Sequence, residues 1–541
     1  MHPKEPKSFI NRVEAYLSKM PSDLHNISDD NQIRLIDTPR AWGLEMSQSG
    51  VSEAATKAVA DLAGEIERML ANAEHTIDIV TLDAPKGLFL QAIHNGLKAH
   101  ADRKTPLRVR FLFGFVPVEG SVEKFIKNLS AFRSKELTTD QVTIFAGQYF
   151  TTRYAWWNHA KIVAVDGRTA IVGGHNLWSD AYGGYPPVHD VSLQVTGPAA
   201  ADAHRFAEFI WANADGWMDT WLVTPKGSKK QKIDPKVSVG KGTARWKVDQ
   251  SHHKSEKEDE DSPQPSRQGW HRGRVMALGR AGGLKDSSLN ASDIAKEVVI
   301  KNARKSLRIC QQDLLFLSSK SLSKHNVCHW IVEALLANRD LEVQIVVSPI
   351  DGSGAGAQYS WGSGAIGTYR ALAQLVQAKS KSKGQMSQAL DRLAVAPFCF
   401  TGVRFRAEGR DYQWPNVPSN LHAFRFNPKS SLITQSIWDK KPPAPGNHAK
   451  FYLADDQAYY IGSDNLYPHN LAEFGYLVEG DSVADVLENY WNRVWYYSGA
   501  HCITEDTIRE YVEYEKTMAK ELLIAQRIAE GRKRVDELYP L

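Results

Sequence analysis

One arrangement of residues occurs twice in this chain and constrains its fold more than any other feature. Asn158-His159-Ala160-Lys161 is followed by Asp166, Gly173, Gly174 and Asn176, and Asn447-His448-Ala449-Lys450 is followed at identical spacing by Asp455, Gly462, Ser463 and Asn465. In an extended segment side chains two apart share a face, so each His and its Lys project the same way. Asp166-Gly167 is a hairpin dipeptide, and Asp455-Asp456 takes its place in the second copy. The return strand of each hairpin ends in a small residue, where backbone can approach a ligand, and then presents an Asn.

The sequence around the two copies repeats as well. Before the first, periodicity predicts a helix near 53–72, a strand at 76–82, a helix near 87–99, a strand at 107–115 and a further strand near 142–146. After it come strands at 161–165, 169–174 and 190–195 and a helix near 199–212. The second half predicts a helix near 292–304, a strand at 306–313, a helix near 328–337 and a strand at 341–348, then strands at 450–454, 458–462 and 475–480 and a helix near 482–496. Both closing helices carry Trp. This is an internal duplication of a mixed α/β unit, and it predicts one pseudo-symmetric body with a single site between two lobes.

At 541 residues the chain exceeds the size at which a single core stops growing. The expected division is an N-terminal extension at 1–50, a first lobe at 51–223, a linker at 224–270, a second lobe at 271–500 and an amphipathic helix at 501–541. The linker is rich in Lys, Ser, Glu, Asp and Pro and reads as solvated. Lys plus Arg number 66 against 62 Asp plus Glu, a balance too even to point to nucleic acid. Cys310, Cys328, Cys399 and Cys502 have no C-x-x-C spacing, so they read as buried thiols. No run approaches a membrane span, and the first residues lack the apolar core of a secretory signal. The compartment stays open between cytoplasm and export by a specialised secretion system as an effector.

Two His-Lys pairs converging on one site suit attack on a phosphodiester. A neutral imidazole avoids the repulsion that hydroxide meets from an anionic substrate, and a second imidazole can give a proton to the leaving alkoxide and later take one from water. Lys161, Lys450, Asn176 and Asn465 are placed to bind non-bridging oxygens. Asp166 and Asp455 fall at turns, which argues for structural support. The chemistry calls for no metal and no cofactor.

These are the two HKD motifs of the phospholipase D superfamily, which the chain resembles. The segments 173–200, 311–315 and 461–480 resemble secreted single-domain bacterial phospholipases D, and the resemblance covers most of residues 50–500. It implies the duplicated phospholipase D fold, an α/β body of two mixed-sheet lobes flanked by helices, and a phosphohistidine intermediate. It also implies His159 as nucleophile and His448 as general acid and base, roles that spacing alone does not distinguish. Asp190 and Glu473 match carboxylates that hold the imidazoles, with the pairing between them open. Trp178 and Tyr182 match headgroup-pocket positions.

Aromatic residues favour a lipid over the nucleic acids that other members of such a superfamily cleave. Trp156, Trp157, Trp178, Tyr182 and Tyr185 flank the first motif, and Tyr359 and Trp361 lie in a Gly-rich stretch at 352–367. Rings of this kind hold a quaternary ammonium through cation–π attraction. The expectation is a monomeric phospholipase D acting on phosphatidylcholine-type lipids at a membrane surface, with transfer to alcohols as a side reaction and a metal-independent nuclease as the alternative.

Overall fold

The computed structural model describes residues 8–19, 24–44, 48–115, 122–151, 156–214, 218–230, 269–282, 284, 290–315, 322–349, 352–354, 357–358, 364–400, 405–407, 410–412, 444–506 and 508–509. Tyr359, Trp361, the centre of the expected linker and the expected C-terminal helix beyond Arg509 lie outside the described residues.

A short helix, α1 (Phe9–Leu17), precedes the long strand β1 (His25–Thr38). The first lobe continues with α2 (Gln48–Ala71), β2 (Thr76–Thr81), α3 (Leu88–Lys98), β3 (Leu107–Phe113), α4 (Val122–Glu136) and β4 (Val142–Thr151). The first motif follows as the hairpin β5 (Ile162–Val165) and β6 (Thr169–Gly173), then β7 (Asp190–Thr196) and α5 (Ala199–Asn213). Two strands, β8 (Met218–Thr224) and β9 (Gly227–Lys230), close the lobe. In the second lobe β10 (His271–Ala281) leads to α6 (Ala291–Asn302), β11 (Ser306–Gln311), α7 (Asn326–Ala337), β12 (Glu342–Val347), α8 (Gly364–Lys379) and β13 (Leu393–Pro397). The second motif is the hairpin β14 (Lys450–Ala454) and β15 (Ala458–Gly462), followed by β16 (Ala472–Gly480) and a helical segment from Ser482 to Ser498 with a π-turn at Val486–Trp491.

Strand pairing makes the duplication exact in order. In the first lobe β4, β3 and β2 are parallel neighbours, then β5, β6, β7 and β1 add antiparallel. In the second, β13, β12 and β11 are parallel, then β14, β15, β16 and β10 add antiparallel. The lobes meet where β1 pairs with β10, His25 opposite Leu278 and Ile33 opposite His271, so one sheet runs through both. The segment expected as an extension therefore supplies the strand that is the counterpart of β10.

Helices cover both faces of this sheet, which is why the central strands are buried along their whole length. β2, β5, β14 and β15 have no exposed residue; they are largely apolar, and the charged residues among them, Asp78 and Lys450, are buried. The abundance of Trp has a packing use: Trp211 and Trp491 are buried under the sheet, and Trp491 stacks on Phe451 with ring centroids 6.0 Å apart.

Candidate active site

Each motif is a hairpin whose turn is tied to the start of the neighbouring strand. Asp166 and Gly167 have positive φ, as do Asp455 and Asp456, the backbone such turns require. The Asp166 carboxylate accepts from the amides of Glu74, His75 and Thr76 at 2.6, 2.7 and 2.7 Å. Asp455 accepts from the amides of Arg304, Lys305 and Ser306 at 2.8, 2.7 and 3.1 Å. Both therefore fasten the hairpin to the entry of β2 or β11, at the end of the hairpin remote from the histidines.

At the other end the two lobes interlock. The His159 amide donates to the Ala472 carbonyl at 2.8 Å, and the His448 amide donates to the His189 carbonyl at 2.7 Å. Ala472 and His189 immediately precede Glu473 and Asp190, so the same backbone bond sets each carboxylate against the histidine of the opposite lobe. Glu473 Oε1 lies 2.8 Å from His159 Nδ1, and Asp190 Oδ2 lies 2.7 Å from His448 Nδ1. The two imidazole centroids are 6.5 Å apart, with the rings near perpendicular. The pairing that sequence left open is thus crossed between lobes.

Lys161 and Lys450 are buried beside the rings, and each ammonium bonds back to the carbonyl of its own motif His at 2.5 Å. Burial pushes the Lys161 ammonium down to about 7 and that of Lys450 to about 8. Burial and the two ammonium groups hold both imidazoles below their usual value, His448 at about 3. Burial therefore disfavours charge on both imidazoles and both ammonium groups, and an anion held among them would favour the charged form of every one.

The carboxylates differ. Asp190 stays ionised well below the usual range despite burial, because His448, His175 and Lys450 surround it. Glu473 is pushed by burial up to about 7, with Asp464 adding to the rise and His469 and Lys161 opposing it. Asp464 and His175 occupy the same position in the two motifs, between the small pair and the Asn. His175 bonds Ser192 and Thr38 hydroxyls at 2.8 and 3.0 Å. Two matching hairpins thus carry unequal electrostatics.

The remaining expected residues divide. Asn176 and Asn465 are buried at the ends of their hairpins, each with a side-chain oxygen that has no partner. Glycine at 174 makes room for a protein group: a Cβ there would stand 1.9 Å from Asp190 Oδ1. At Gly173 it would meet Ser192, and at Gly462 it would meet Tyr460 and the backbone of Gly475. Ser463 donates to Glu473 Oε2 at 2.5 Å. So the small residues leave space for the carboxylate strand, where sequence suggested approach to a ligand. Tyr182, expected in a headgroup pocket, is fully buried; its hydroxyl donates to Asp190 Oδ2 at 3.0 Å and accepts from the Asn176 amide at 2.8 Å. Trp178 is partly exposed, with the Lys86 ammonium 5.3 Å from its ring centroid. Sequence reasoning passed over His175, Asp464 and His469; the last two sit inside the 461–480 segment that carried the resemblance.

No family model matches the sequence. The chain is 30% identical over 497 residues to the phospholipase D of Streptomyces antibioticus, a match that covers 86% of this chain and 80% of that protein. It is 38% identical over 97 residues to cardiolipin synthase A of Pseudomonas putida, 16% of this chain and 20% of the other. Among solved structures, the phosphatidylserine synthase of Haemophilus influenzae Rd KW20 superposes with a TM-score of 0.51 at 14% identity, covering 95% of this chain and 98% of that one, a likeness of fold. With a relative of that identity and coverage, and with the same α/β fold in that structure, the chain belongs to the phospholipase D superfamily.

Proposed function

We propose that this protein is a phospholipase D, which hydrolyses phosphatidylcholine-type lipids to phosphatidic acid and free headgroup without a metal. The observation that carries the reading is the pair of facing imidazoles, 6.5 Å between centroids, each with Nδ1 on a carboxylate of the other lobe. A carboxylate on Nδ1 keeps the proton there and leaves Nε2 as the basic atom. His159 Nε2 attacks phosphorus, and the P–O bond to the headgroup breaks. His448, charged once the phosphate is bound, gives its Nε2 proton to the departing alkoxide. Water then loses a proton to His448 and attacks the phosphohistidine, which releases phosphatidic acid and restores His159. Lys161, Lys450, Asn176 and Asn465 bind the non-bridging oxygens and offset the charge of the pentavalent state. A primary alcohol in place of water gives transfer.

A lipid substrate is supported by the 30% identity to a phospholipase D across most of the chain and by the partly exposed Trp178 two residues after Asn176. The deciding experiment is headgroup release from phosphatidylcholine vesicles in EDTA by wild type and His448→Ala, with single-stranded DNA assayed in parallel. Choline release by wild type alone supports the reading. DNA cleavage without choline release replaces it with a nuclease.

A further inference from the structure

A second histidine stands behind Glu473. His469 lies on the loop between β15 and β16, with Nδ1 3.6 Å from Glu473 Oε1 and Nε2 3.0 Å from Asp464 Oδ1. Asp464 is itself held by the Lys296 ammonium at 2.7 Å, the Ser292 hydroxyl at 2.5 Å and the Arg280 guanidinium at 3.5 Å. Arg280 also donates to the His469 carbonyl at 2.7 Å, which fixes the loop. Carboxylate and imidazole thus alternate from Asp464 through His469 and Glu473 to His159, with hydrogen bonds at the first and last contacts and a 3.6 Å approach without one between His469 and Glu473. In the first lobe Asp190 is bonded by the Tyr182 phenol and by the Val191 amide, and His175, which also faces it, bonds the Ser192 and Thr38 hydroxyls instead of a second carboxylate.

We propose that His469 is a positioning residue that acts through Glu473: it keeps this carboxylate ionised and aimed at His159, and so fixes the tautomer of the attacking imidazole. The inference rests on His159 as the nucleophile of the proposed reaction. His469 Nε2 bonds Asp464, and its buried Nδ1 faces Glu473 at 3.6 Å with no hydrogen-bond partner among the described residues, so the ring lies between the two acids. Asp464, His469 and Glu473 lie close enough to suggest a cation site, but each imidazole nitrogen already faces a carboxylate and Asp464 already faces two side-chain cations.

The groups around Glu473 show why a bridge is needed. Burial and Asp464 favour its protonated form, while His469, Lys161 and the Ser463 hydroxyl favour the ionised form; Lys450, Arg280 and the phenols of Tyr460 and Tyr467 also face it. Without His469 the first pair gains. A protonated Glu473 donates to His159 Nδ1, which forces the ring's own proton onto Nε2, the atom that must attack. The carboxylic acid therefore abolishes the nucleophile without moving it.

The test compares wild type with His469→Gln and His469→Lys in the full chain, reading kcat/KM against pH on phosphatidylcholine and on bis(p-nitrophenyl) phosphate, with thermal midpoints alongside. For Gln the acid limb moves up by about one unit or more and the rate at pH 6.5 falls roughly tenfold, recovering toward wild type at pH 9; Lys restores part of the loss. Labelled-histidine NMR of the resting protein gives a readout independent of any substrate: at pH 8 the His159 proton sits mainly on Nδ1 in wild type and shifts toward Nε2 in His469→Gln. A superimposable pH profile overturns the proposal, as does a rate lowered by the same factor at every pH with the tautomer unchanged. If neither substrate is turned over, the proposed reaction fails, while the NMR result still decides the role of His469.

Discussion

Asp190 Oδ2 lies 2.7 Å from Nδ1 of His448, a histidine of the other lobe, and the reciprocal bond joins Glu473 to His159. Neither lobe therefore owns a complete imidazole and carboxylate pair, and docking of the lobes assembles both. Asp190→Asn keeps the shape but substitutes a neutral amide for an anion that must hold a charged imidazole. The expected loss in kcat is about 10²–10⁴-fold, by analogy with the loss on neutralising the carboxylate of a catalytic triad, with far-ultraviolet circular dichroism unchanged. A loss below tenfold would remove Asp190 from this role.

Tyr182→Phe separates two uses of an aromatic ring. The phenol gives Asp190 a hydrogen bond inside the protein, so its removal is expected to lower kcat about tenfold, the worth of one bond to a buried charge. The ratio of choline to ethanolamine release should stay as in wild type. A changed ratio with unchanged kcat would return Tyr182 to the headgroup pocket.

The two lysines put stability and activity in opposition. Burial brings the Lys450 ammonium from 10.5 to about 8. A cation whose folded value is depressed is disfavoured by folding while charged, so this cost stands in full below about pH 8 and disappears as the pH rises toward 10.5. Its size is on the order of 3 kcal/mol. Lys450→Met is expected to raise the urea midpoint at pH 7, to lose that advantage over wild type by pH 10.5, and to abolish turnover. An equal or lower midpoint at pH 7 would show that the ammonium is better solvated than its burial implies.

Much of this was legible in the sequence because buried parallel strands leave continuous apolar runs: β2, β3, β11 and β12 were each expected within two residues of their observed ends. β1 escaped notice because HNISDDNQIRLIDT has only four apolar residues, Ile27, Ile33, Leu35 and Ile36, and its burial is uneven where it bends from β10 to β7. β10, which starts at His271 where the second lobe was expected to begin, was not itself expected as a strand. The His and Lys pairs were legible as a repeated pattern. The crossed carboxylates were not, since 314 and 258 residues separate the partners and only lobe docking relates them. Tyr182 was assigned by its match to a headgroup-pocket position in the resemblance, and position along the chain carries no information about whether a ring faces solvent or a buried Asp190.

The turn aspartates give a contrasting case, in which a motif residue is expected to matter for folding and not for chemistry. Asp455 accepts three consecutive amides at the entry of β11, and without the carboxylate those amides of Arg304, Lys305 and Ser306 lose their acceptor among the described residues. Water can reach Arg304 and Lys305, which are exposed, so the penalty is less than three full desolvation terms. Asp455→Ala is expected to cost about 2–4 kcal/mol of stability, measured by urea denaturation. Asn is expected to recover part of it through its side-chain oxygen. Because the turn lies at the far end of the hairpin from His448, kcat per folded molecule should remain within about threefold of wild type, counting active sites by burst amplitude. A loss of kcat as deep as that of His448→Ala, with stability unchanged, would place the carboxylate in the proton-transfer path instead.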